Sequence, residues 1–141
     1  MKRIVYTRPD GGISVLTPAE SARLSGESDD SFLARIQAKD VPLDAINPRL
    51  VDANEIPNDR TFRNAWSSDL NVDMPKARDI HMGRIRAARN IELTRLDIET
   101  MKGLNVQDEK QKLRDIPQTF SLSDAKNAEE LKALWPTKLP R

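Results

Sequence analysis

The 141-residue chain contains no cysteine, one histidine and few aromatics: two tryptophans, one tyrosine and three phenylalanines. Without cysteine there can be no disulfide, thiolate metal site or cysteine nucleophile. With His81 as the sole imidazole, a zinc site would have to be built mainly from carboxylates, an unusual ligand set. No apolar run approaches the roughly 18 residues of a membrane-spanning helix. The start, MKRIVYTRPDGG, has basic residues but not the apolar core of roughly 7–15 residues that a signal peptide needs. A soluble protein made in the cytosol is the expectation. Excess charge of one sign is also missing. The 23 basic and 22 acidic residues leave a net charge of +1, which gives no global field for steering to nucleic acid or membrane.

Charge of both signs is plentiful. Charged residues make up 32% of the chain and hydrophobic ones 38%, against globular averages of about 25% and about 45–50%. A chain of this length can bury a core. This composition nevertheless lies between that of a compact domain and one that depends on a partner.

The order of signals predicts an α+β protein. Arg3–Tyr6 and Ile13–Leu16 are β-prone runs around Pro9-Asp10-Gly11-Gly12, the chemistry of a hairpin turn. Thr17-Pro18-Ala19-Glu20 reads as a short helix start with Thr17 as cap. Ser28 or Asp29 caps a second helix to about Lys39, with Phe32, Leu33 and Ile36 on one face. Arg49–Asp52 and Thr61–Trp66 read as strands, the latter placing Phe62 and Trp66 on one face by period two. Leu70–Val72 continues the pairing after a turn. Asp73 then caps a long helix with Pro75 in its first turn, where proline is tolerated. Gly83 is a weak point within that helix, and Gly103 lies near its end. A further helix carrying Leu113 and Ile116 runs to Pro117, completing an αα-hairpin. Asn127 with Glu130 starts a short docked C-terminal helix. The expected division is 1–72 and 73–141, or one continuous domain: a small antiparallel sheet from the hairpin and central strands, then a helical half.

The long helix carries apolar residues on two faces. At about 100° per residue, Ala77, Ile80, Ala87, Ala88, Ile91, Ile98 and Met101 share one face, and Ile85, Leu93, Leu96 and Leu104 lie roughly opposite. Two stripes imply burial on both sides, hence a partner or second subunit. We assign the contact to Ile85, Leu93, Leu96 and Leu104. Trp66 and Trp135 serve as anchors of either core or interface.

Other candidates resolve to structural roles. His81 has no acidic residue at i±3 or i±4 to orient it for catalysis. Asp29 with Asp30, and Glu129 with Glu130, sit at helix starts, where carboxylates complement the dipole. Gly11-Gly12 lacks the spacing and following helix of a phosphate loop. Lys76, Arg78, Arg84, Arg86, Arg89 and Arg95 scatter around the helix and alternate with carboxylates. That suits ion pairs at protein contacts better than a phosphate-tracking stripe. No catalytic, cofactor or metal residue is therefore assigned, and the expected partner is protein.

Five segments, MKRIVYTRPDGGISVLTPAE, RTFRNAW, NVDMPKARDIHMGRIRAARN, QKLRDIP and AEELKALWP, occur in an order that resembles a group of small proteins encoded by tailed bacteriophages and prophages near tail genes. The resemblance spans nearly the whole chain and brings no catalytic motif. It implies a non-enzymatic virion protein, made in the host cytoplasm, of the tail or neck region, packed with itself or other virion proteins. A tail-fibre assembly chaperone is the first alternative and a DNA-binding phage regulator the second.

Overall fold

Ile4 and Val5 are neighbours in sequence, so a strand sends their side chains to opposite faces. Both are buried, at 0% and 2% exposure, which requires a sheet covered on two sides. The computed structural model, covering residues 1–141, has that arrangement. Strand β1 (Lys2–Thr7) is the centre of a three-stranded antiparallel sheet. It lies between β2 (Ile13–Leu16) and β3 (Ile46–Asp52), in the order β2-β1-β3. The β1–β2 turn closes with Arg8 N–H donating to the Gly12 carbonyl at 2.7 Å and Gly11 N–H to the Arg8 carbonyl at 2.9 Å. Gly11 holds φ +85°, a conformation that favours glycine. Pro48 is tolerated because β3 is an edge strand, and the pairing shifts register beside it, between Val5 and Thr7.

The two faces are covered by different means. Ile4 packs with Phe32 and Ile36 of α1 (Asp29–Asp40), whose first turn is capped by the Ser28 hydroxyl accepting from Ser31 N–H. Val5, Ile13 and Val51 pack with Ile56, Trp66 and Leu70 from the segment that follows β3. That segment corrects two expectations. Residues 61–66 are not a strand: Arg63–Ala65 is a 3₁₀ turn, and only Trp66 pairs, in a single bridge with Val72. Phe62, Ala65 and Trp66 are all buried, a spacing of three and four that a helical turn satisfies, whereas alternation accounts only for Phe62 and Trp66. The expected helix at Thr17 shrinks to a 3₁₀ turn at Glu20–Ala22 without a side-chain cap. The loop at Ser25-Gly26 leaves too few residues to offset helix nucleation.

These elements form one compact unit, Met1–Val72, and Asp73–Arg141 forms another. In the second, α2 (Met74–Met101) runs unbroken through Gly83, with the Asp73 side chain accepting from Lys76 N–H. It ends in a Schellman turn. Gly103 holds φ +87°, its N–H donates to the Thr100 carbonyl at 3.0 Å, and Leu104 N–H donates to Glu99 at 3.2 Å, the paired bonds of that motif. α3 (Gln107–Thr119) returns alongside α2. It continues past Pro117, because Phe120 N–H still reaches the Ile116 carbonyl at 2.8 Å. α4 (Ala128–Ala133) packs on α2 and is capped by Asn127 accepting from Glu130 N–H. The fold is α+β, with a helical hairpin and a short C-terminal helix.

Candidate interaction surface

The 28 residues of α2 divide into a covered and an open side. Ala77, His81, Ile85 and Leu96 are buried, and their positions fall within about 100° of one another on the helix. The partner residues on α3 are Lys110, Leu113 and Ile116, all buried at i, i+3 and i+6. Leu96 and Leu113 line one cleft. Beside them Lys110 Nζ, itself buried, lies 2.7 Å from the Asp97 carboxylate. This lysine went unassigned in the sequence. Its position three residues before Leu113 was the available signal, masked by its charge.

The open side carries Ile91 at 69% exposure, Ile98 at 50% and Met101 at 86%. The assignment of faces made from sequence is therefore corrected. Ile85 and Leu96, assigned to a partner, are packed within the chain, Leu93 is half-buried, and of that set only Leu104 is exposed. The free apolar residues belong mainly to the other stripe. Both stripes are similarly apolar, so the wheel alone cannot say which one α3 takes; the Lys110–Asp97 pair beside Leu96 marks the side it took.

The two tryptophans also part company. Trp66 is core of the first unit, 2% exposed. Trp135 is half-buried in the second. Its indole N–H donates to the Leu139 carbonyl at 3.1 Å, and its ring meets His81 edge-on with centroids 5.7 Å apart. His81 is buried, with Nε2 2.7 Å from the Leu134 carbonyl. A carbonyl can only accept, so Nε2 carries the proton. This ties the segment after α4 to α2. Between them lies a groove of about 470 Å³, with Ala88, Ile91, Trp135 and Pro140 in its lining and Arg84 and Lys132 among its charged residues. Its apolar side opens onto the exposed face of α2 at Ile91.

A second cleft, about 490 Å³, belongs to the first unit and is lined with charge, including Lys2, Glu20, Arg23, Asp29 and Asp52. These charges are engaged with one another. Arg23 pairs with Glu20 and, at 2.8 Å, with Asp29, and its guanidinium lies 4.5 Å over the Phe32 ring. Lys2 pairs with Asp52 at 3.5 Å. Nearby, Arg35 bonds both carboxylate oxygens of Glu27 at 2.8 Å. That fork, reinforced by Leu24 N–H, draws the Glu27 pKa from 4.5 down to about 2. The cluster locks the loop before α1 onto Phe32. No three metal-ligating side chains converge anywhere in the chain, and no helix is long and apolar enough to cross a membrane.

No family model, curated protein or solved structure matches this chain. The geometry and the sequence resemblance therefore carry the functional argument.

Proposed function

We propose that this is a non-enzymatic bacteriophage protein of the tail or neck region that works by packing against other virion proteins or against itself. The observation that carries the reading is the row of exposed apolar residues Ile91, Ile98 and Met101 on one helix. A monomer gains nothing from leaving such a row in water, and exposed apolar side chains aligned on one face suit an interaction site. The half-buried Trp135 beside Ile91 supports it, since a tryptophan in a groove is a common anchor. The phage setting rests on the resemblance of the five sequence segments.

The helix's basic residues favour protein over nucleic acid as the partner. Arg78 donates to the Ala125 carbonyl at 2.7 Å, Arg89 to Asn90, and Arg95 pairs with Glu92 at 3.0 Å. Mass spectrometry of purified virions from a phage encoding this chain tests the proposal. Stoichiometric presence in mature particles is the expected result. Absence from particles, with loss of fibres when the gene is deleted, would replace it with an assembly chaperone. A DNA mobility shift with a steep salt slope would replace it with a regulator.

A further inference from the structure

On the open face of α2, Arg84, Ala87, Ile91, Thr94, Ile98 and Met101 follow one another at spacings of three, four, three, four and three. Ile80, half-buried, adds a step of four before them. This is the heptad spacing of a coiled-coil seam, with Arg84, Ile91 and Ile98 at a and the others at d. Apart from Ile80, every residue of the seam is exposed. The Thr94 hydroxyl is satisfied within the helix, donating to the Asn90 carbonyl at 3.0 Å, so it needs no water at a seam.

We infer that this face binds a second copy of the chain, with the two α2 helices parallel and in register. The inference rests on the reading of the face as a docking surface and names its occupant. Isoleucine at successive a positions is compatible with a two-stranded parallel coil, and the flanking charges choose the orientation. The e positions are Ala88, Arg95 and Lys102, and the g positions Gly83, Asn90 and Asp97. In a parallel pair g faces e of the other helix five residues on. Asp97 then meets Lys102 of the second copy, and Asn90 meets its Arg95. In an antiparallel pair e faces e, setting Arg95 and Lys102 against arginine and lysine. Asp97, Arg95 and Lys102 are each more than half exposed even in their intrachain pairs, so they remain within reach of a second helix. Arg84 at an a position limits the apolar seam to the C-terminal part of the helix and disfavours slipped registers, as polar a residues do.

The absence of native cysteine makes the test clean. Thr94→Cys and Met101→Cys place single thiols at two d positions of the full chain, where a parallel in-register pair brings each within disulfide reach of its own copy (Cα separations of about 4.4–6.8 Å). Under mild oxidation both variants should give a covalent dimer, faster than a Lys112→Cys control on α3. Wild type at micromolar concentration should sediment at twice its 16.0 kDa mass, and Ile91→Asp at the monomer mass with unchanged helical circular dichroism. A wild-type monomer, cross-linking at only one of the two positions or no faster than the control, or a dimer that survives Ile91→Asp would each overturn the inference. Virion mass spectrometry is independent of these results. A monomer that is present in particles would leave the proposed function standing with a different occupant on the face.

Discussion

The two units of this protein treat their apolar residues differently. In Met1–Val72 the exposed large apolar side chains are dispersed: Met1 precedes β1, Leu24 follows a 3₁₀ turn, Leu43 follows α1, and Ile46 and Leu50 lie on the edge strand. In Asp73–Arg141 they are Ile91, Ile98, Met101 and Leu104, all at the C-terminal part of one helix and the turn that ends it. Scattered exposed apolar residues are ordinary on any surface, whereas an aligned row is not. The first unit completes both faces of its sheet with its own segments. The second has one short amphipathic helix, α3, and a six-residue α4 to cover a 28-residue helix. One face is left over.

The largest expected effect tests which face of α2 is which. Leu96→Asp puts a carboxylate at a site 2% exposed and should destabilise the second unit by about 4 kcal/mol or more, through lost packing and an unpaired buried charge. Ile91→Asp, at a site 69% exposed, should leave the stability of the monomer unchanged within about 0.5 kcal/mol when both proteins are compared at concentrations where neither is dimeric. Urea unfolding followed by circular dichroism compares them, and equal losses would erase the distinction between the faces.

In the first unit, Phe32→Ala should cost about 3–4 kcal/mol, since it empties a side chain 1% exposed between α1 and the sheet. Amide exchange at Ile4 and Val5 should accelerate accordingly. An effect under about 1 kcal/mol would mean that the Ile4 face is not closed from within the unit, and the contrast with α2 would fail.

A smaller effect concerns how that unit fixes its loop. The folded-state pKa of Glu27 lies below its ordinary value. Its contribution to stability is therefore fully present above about pH 4.5 and is lost as pH falls through about 2. Melting curves over that window should show a shallower acid limb for Glu27→Gln than for wild type, from a lower starting stability at neutral pH. Identical acid limbs would remove the Arg35 fork as the lock on the loop.

Local signals in the sequence were legible wherever one residue type had one physical use. Pro9 to Gly12 gave the turn, Asp73 the cap of α2 and Gly103 its end, while the cap of α1 was narrowed to Ser28 or Asp29. Leu113 and Ile116 gave the buried side of α3. What was not legible needed a choice between equals. Phe62 and Trp66 taken alone fit a helical turn and an alternating strand alike, and Ala65, buried with them, belongs to the turn. The two stripes of α2 were both visible, but which one is covered depends on where α3 docks. The charged partner that marks the docking side, Lys110, does not look like a core residue. Ile85 and Leu96, read from the sequence as contact residues, are instead packed within the chain.

The last prediction tests whether α2 has two faces at all. Gly83 lies mid-helix and exposed, without a positive φ, and a Cβ built on it meets nothing within 4 Å. In a continuous helix, Gly83→Ala should stabilise the second unit by about 0.5–1 kcal/mol, because alanine loses less backbone freedom on folding. The gain should appear in urea unfolding without any change in Ile91→Asp behaviour. The opposite sign would mean that the chain bends at Gly83 and that alanine opposes the bend. Ala77 and Ile80 would then lie on a different helix from Ile91, Ile98 and Met101, and the heptad spacing would lose its Ile80 step and begin at Arg84, leaving residues 84–101 alone to form the seam.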